Sequence, residues 1–151
     1  MSFFGSMNIS ATGLTAQRLR MDLISENIAN ANTTRTAGGG PFMRRTVVFE
    51  PSAQASFGAV LSGVMGGAAM SGSGGRGVRV SRITTDQTPG PRVYDSAHPD
   101  ADDDGYVQMP NVNIVMEMVN MISASRSYEA NITAMNITRG MINRTMELGN
   151  A

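Results

Sequence analysis

From Ile114 to Met146 the sequence places one face at alternating steps of four and three: Ile114, Met118, Met121, Ser125, Tyr128, Ile132, Met135, Arg139, Ile142 and Met146. A repeat of three and a half residues is the seam of a helix that packs along its length on other helices, and no sheet uses that spacing. Pro110 and Asn111 supply a breaker and an N-cap before it, and Gly149 a stop after it. The predicted helix covers about 38 residues, a rod of roughly 57 Å at 1.5 Å rise. Tyr128 reads as packing within the seam. Arg126 and Glu129 are spaced for a modest i,i+3 pair. Arg139 in a buried seam needs a carboxylate or a helix end, from this chain or a neighbouring one.

A second, shorter helix is predicted from Met7 to about Asn32, with Ser10 as a plausible N-cap of its regular part. Met7, Leu14, Met21 and Ile28 recur every seven residues, with Ala11, Ile24 and Ala31 in the adjacent stripe. Gly38-Gly39-Gly40-Pro41 forbids continuation. Between the helices, Arg44–Glu50 is β-prone and closed by Pro51, Val78–Thr84 alternates apolar and polar residues, and Arg92-Val93-Tyr94 makes a third short strand, together a small antiparallel sheet. Residues 52–77 are rich in Gly, Ser, Ala and Met and read as a mobile, low-complexity insertion. The expected fold class is mainly α: N- and C-terminal long helices paired as a coiled coil, with a small central antiparallel β extension and a flexible Gly/Ser-rich insertion. The corresponding segments are 1–35, 36–110 and 111–151.

Composition narrows the function. Twelve basic residues, all Arg, balance twelve acidic ones, so no clustered positive excess suits a polyanion, and no nucleic-acid partner is expected. Without Cys there is no disulfide scaffold, thiol nucleophile or Cys-ligated zinc, and His98 is the single imidazole. Aromatic residues are 5% of the chain against 13 Met and 17 Gly, too few rings for a large interdigitated core. The weakly polar run from Phe57 to Met70 is broken by glycines and too short to span a bilayer, so no stable membrane insertion is expected. MSFFGSMNIS has neither the basic nor the apolar region of a cleaved signal peptide. Five Asn-x-Ser/Thr triplets, at Asn8, Asn32, Asn131, Asn136 and Asn143, read as accidents of an Asn- and Thr-rich helix surface. The longer helix carries only Glu117, Arg126, Glu129, Arg139, Arg144 and Glu147 as charges; its outward positions are Asn113, Asn120, Ser123, Ser127, Asn131, Thr133, Asn136 and Asn143. Neutral hydrogen-bonding side chains tolerate burial against another chain better than Lys or Glu. The pattern therefore points past a two-helix pair to a helix touched by neighbours on several sides.

Three stretches carry a family resemblance. They are Ser10–Arg18 leading into Glu26-Asn27-Ile28-Ala29-Asn30-Ala31-Asn32-Thr33; Gly39–Arg45 followed by Val47-Val48-Phe49; and Asn111–Asn131, preceded by His98-Pro99-Asp100-Ala101-Asp102 and Gly105-Tyr106-Val107. Together they resemble the proximal rod proteins of the bacterial flagellar basal body, the FlgC family. The resemblance implies a structural subunit, no enzyme and no cofactor. It implies export through the flagellar type III apparatus without a cleaved signal, and helical polymerisation through the terminal helices around an export channel, in a rod that spans the periplasm and transmits torque. Implied partners are further copies, other rod proteins and the MS ring or export-gate adaptor. The expected assembly interface comprises Met7, Leu14, Met21, Ile24, Asn27, Ile28 and Asn30 on the first helix. On the second it comprises Ile114, Met118, Met121, Ser125, Arg126, Tyr128, Ile132, Met135, Arg139, Ile142 and Met146.

The rival reading is a calcium-binding or other helical-bundle interaction protein that uses the Asp100–Asp104 loop. Asp100-x-Asp102-x-Asp104-Gly105 matches the first half of an EF-hand loop, with Asp100, Asp102 and Asp104 as candidate metal ligands. Its second half fails, because Asn111 stands where the bidentate Glu belongs and His98-Pro99 cannot be an incoming helix. A tight acidic turn is the simpler account. Catalysis by the same aspartates with His98 lacks a second cluster to build a pocket. Phe3, Phe4 and Met7 could dip into lipid, yet Arg18 and Arg20 are the only cations of that helix.

Overall fold

A computed structural model describes residues 3–52 and 77–149. Two long helices, α1 (Phe3–Ala29) and α2 (Ile114–Gly149), frame four short strands: β1 (Arg45–Pro51), β2 (Val78–Thr85), β3 (Arg92–Tyr94) and β4 (Tyr106–Gln108). The strands form two separate antiparallel ribbons, β1–β2 and β3–β4, where the sequence suggests one sheet. The reason is local. Asn111 closes the junction between the ribbons by accepting from the Arg44 amide at 2.7 Å and donating to the Asp86 and Thr88 carbonyls at 3.0 and 2.9 Å. Residues 53–76, nearly all of the expected insertion, lie outside the described residues.

Helix boundaries differ from the expected ones. Ser10 sits inside α1, which starts at Phe3 and ends at Ala29; Asn30 then turns back, its side chain donating to the Glu26 carbonyl at 2.9 Å. In α2 the N-cap is Asn113, whose Oδ1 accepts from the Met116 amide at 3.1 Å, because Asn111 is already spent on the strands.

α1 and α2 pack antiparallel: Gly13 lies against Asn131 and Asn27 against Glu117. A Cβ on Gly13 would come within 3.1 Å of the Asn131 amide, so the helices approach closely there. β1 and β2 lean on α1, and Thr12 anchors β2 by accepting from the Val78 amide at 3.2 Å. Among the described residues the β3–β4 ribbon packs on no other helix or strand. In β1–β2, Val48 faces Arg82 while Phe49 faces Val80, leaving Ser81 as a bulge whose hydroxyl donates to Glu50 at 2.6 Å. Among the described residues, the buried apolar side chains are Ala16, Leu23, Ile24, Ala31, Val107 and Ala124. That core is small and contains no ring.

Candidate assembly interface

On α2 the positions 117, 121, 124, 128, 131, 135, 138 and 142 are buried or half-buried and follow steps of four and three, with 120, 125 and 127 half-buried beside them. Met121, Tyr128, Met135 and Ile142 are half-buried on this face, in the column that the sequence pattern picks out. The companion column is Glu117, Ala124, Asn131 and Thr138, one position before the expected Met118, Ser125, Ile132 and Arg139. Small or polar residues let two backbones approach, so the face turned to α1 is the less greasy one. Ile114, Met118, Ile132 and Met146 are exposed instead, and Ser125 is half-buried. Arg139 is exposed, not held in a seam, because Thr138 takes that place and bonds the Ala134 carbonyl at 2.9 Å. Arg126 is exposed and forms no ion pair among the described residues; Glu129 receives the Ser125 hydroxyl at 3.4 Å in place of the expected i,i+3 pair. Asn131, expected to face outward, packs on Gly13.

α1 behaves alike. Ala16, Leu23, Ile24, Asn27 and Ala31 are buried, while Met7, Leu14, Met21, Ile28 and Asn30 are half-buried and Ala11 is exposed. Asn27 is 0% exposed and wholly engaged within the chain. Its Oδ1 accepts from the Arg45 amide at 2.9 Å, while its Nδ2 donates to the Arg45 carbonyl at 2.8 Å and to Glu117 Oε2 at 3.0 Å. An amide side chain can do this because it carries a donor and an acceptor side by side.

The other oxygen of Glu117 takes the Arg44 guanidinium, from Nε at 2.9 Å and from Nη2 at 2.8 Å, with Asn120 at 3.2 Å. Burial pushes the Glu117 carboxyl up, but the hydrogen bonds from Asn27 and Arg44, the Arg44 charge and Asn120 outweigh it, so the group lies below the usual carboxylate range. Beside it, Arg45 pairs with Glu26 at 2.7 Å. This clamp of Glu26, Asn27, Arg44, Arg45 and Glu117 ties both helices to the start of β1. Sequence reasoning missed Glu117 as a fixed point. Its signal was present: it is the lone charge on α2 before Arg126.

The Asp100–Asp104 loop spends its groups separately. Asp100 accepts from the Thr34 hydroxyl at 2.8 Å and lies 3.5 Å from Arg35. Asp102 accepts from the Tyr106 and Asp104 amides at 2.8 and 3.2 Å and pairs with Arg92, and the Tyr106 amide leads in holding its carboxyl below the usual range. Gly105 takes φ +79° to close the turn. Among the described residues no three His, Asp or Glu side chains converge as metal ligands, and no helix is long and apolar enough to cross a membrane.

The outer surface of α2 is where apolar area remains. Val115 is 69% exposed, Val119 and Ile122 are each 55% exposed, and Met116, Met118, Ile137 and Met141 are also open. Three hydroxyls among them are already satisfied: Ser127, Thr133 and Thr145 donate to the carbonyls four residues back at 2.9, 2.9 and 2.8 Å. Those three hydroxyls lose no hydrogen bond when water is removed.

Comparison with known proteins bears on both ends. The family described as flagella basal body rod protein matches residues 7–35, and that described as flagellar basal body rod FlgEFG protein C-terminal matches residues 103–148. The chain is similar to the flagellar basal-body rod protein FlgC of Bacillus subtilis, 48% identical over 153 aligned positions and 99% of each chain. It is 45% identical to FlgC of Borreliella burgdorferi over 98% of each chain, and 36% identical to FlgC of Escherichia coli over 99% of each.

Proposed function

We propose, from the premise that the chain belongs to the FlgC family of flagellar basal-body rod proteins and is a structural subunit of that rod, that the outer face of α2 is the surface by which it polymerises. The single observation behind this is the open apolar area at Val115, Val119 and Ile122. A run of exposed large apolar side chains on one helix marks a protein–protein contact. In this reading α1 and α2 wind as an antiparallel coiled coil, supported by the four-three alternation on α2, and residues 1–35 and 111–151 form the rod core while 36–110 project from it. Ile114, Met118, Ile132, Met146, Arg126 and Arg139 face sister chains. The half-buried Met7, Leu14, Met21, Ile28 and Asn30 form the rim they share with α1.

The rod so built winds helically around an export channel and transmits torque through many shared contacts. A subunit of this kind reaches its place across the periplasm through the flagellar type III apparatus, without a cleaved signal, and meets other rod proteins and the MS ring or export-gate adaptor. A sparse, ring-free core suits a chain that travels unfolded and orders on assembly.

The test is replacement of the native copy in a flagellated cell by full-length chain carrying Val119→Asp and Ile122→Asp. The expected outcome is basal bodies arrested before rod completion, with the purified variant keeping the parent's helix content. Complete rods in that strain would contradict the reading.

A further inference from the structure

A cleft of about 350 Å³ opens between α1 and β1, and Leu23, Ile24, Val47 and Phe49 give it apolar walls. The charges at its margin are not equivalent. Arg44 and Arg45 are neutralised by Glu117 and Glu26, whereas Arg20, also lining the cleft, forms no ion pair among the described residues. An occupant that fits carries a large apolar side chain next to a carboxylate.

The far end of α2 offers that combination. Leu148 is 81% exposed, Met146 is 63% exposed, and Glu147 between them is exposed and forms no ion pair among the described residues. The tip cannot reach the cleft of its own chain. Gly13 lies level with Asn131 and Asn27 with Glu117, which puts Arg20 level with Ala124. Leu148 is some 24 residues farther along, about 36 Å at 1.5 Å per residue.

We infer that the tip of α2 docks in the α1–β1 cleft of a second copy, Leu148 entering between Leu23 and Phe49 and Glu147 pairing with Arg20. This rests on the assembly reading above and gives it one defined contact. The two surfaces differ and lie at opposite ends of the helix pair, so the contact is heterologous and propagates from chain to chain, as a rod requires. The ion pair sits at the rim of an apolar contact, where charge selects partner and register more than it adds affinity.

The chain contains no Cys, so introduced thiols are unique. Full-length Leu148→Cys and Val47→Cys copies of different tag mass are mixed at a concentration where sedimentation shows association, then oxidised. The contact predicts a mixed disulfide in clear excess over that formed by Leu148→Cys with a Ser123→Cys copy. Arg20→Glu in the Val47→Cys copy lowers its yield about tenfold, and Glu147→Arg in the Leu148→Cys copy restores it. Rescue by the second reversal separates a lost contact from a misfolded variant. Association without the mixed disulfide, or a yield indifferent to Arg20→Glu, overturns the docking alone. No association at any concentration overturns both the docking and the assembly reading.

Discussion

At the scale of single residues, Glu117 carries the largest consequence. A carboxylate that is 1% exposed is tolerated only because Arg44, Asn27 and Asn120 occupy both its oxygens. Glu117→Gln leaves the Arg44 charge unanswered, and the expected loss is about 2–4 kcal/mol by urea unfolding. That is somewhat below the loss for a fully buried pair, because the Arg44 side chain keeps 29% of its surface in water. The pH dependence follows from the sign of the shift. A carboxyl held lower in the folded than in the unfolded chain adds stability above its unfolded value, about 4.3, and loses it as pH falls through the folded value. The stability gap between the parent and Glu117→Gln should therefore be full at neutral pH and shrink as pH falls below the unfolded value of about 4.3. A gap that widens on acidification would contradict the clamp.

Within elements, the two faces of α2 have opposite tolerances. Ala124 is fully buried where α1 approaches, so Ala124→Leu overpacks the contact and should cost about 1–3 kcal/mol of monomer stability. Ile122, two positions earlier and open, should accept Ser with a change within about 0.5 kcal/mol, while association measured by sedimentation weakens. Equal losses in the two variants would show that both faces are packed within the monomer. These same positions mark how far the sequence could be read. The period of the helix and the column Met121, Tyr128, Met135, Ile142 were legible, because large apolar side chains at fixed spacing declare a face. The neighbouring column was not, because Glu117, Ala124, Asn131 and Thr138 serve closeness and hydrogen bonding, and the large apolar Met118 and Ile132 draw the four-three register one position on. Asn111 and Asn113 are equally good caps in isolation, and the choice was made by Arg44 and Asp86, distant in sequence. β4 is three residues long and had no period to show. The Arg44–Glu117 bond spans 73 positions, which no local pattern encodes.

For the whole molecule, the balance between what is buried and what is left open decides the account. Six apolar side chains are buried among the described residues, while Val115, Met116, Val119, Ile122, Ile137, Met141 and Leu148 stand open on one 36-residue helix. An isolated soluble chain gains nothing from that distribution; a member of a packed helical wall has its largest surface covered by neighbours. The chain belongs to the flagellar rod family, and the clamp of Glu26, Asn27, Arg44, Arg45 and Glu117 joins α1 and α2 as one unit. The most direct measurement is an electron cryo-microscopy reconstruction of basal bodies containing this chain, at a resolution that shows side chains. The expected map has Val115, Val119 and Ile122 in contact with neighbouring subunits and Ala124 against α1 of the same chain. A map in which that outer face of α2 meets only solvent would contradict the account.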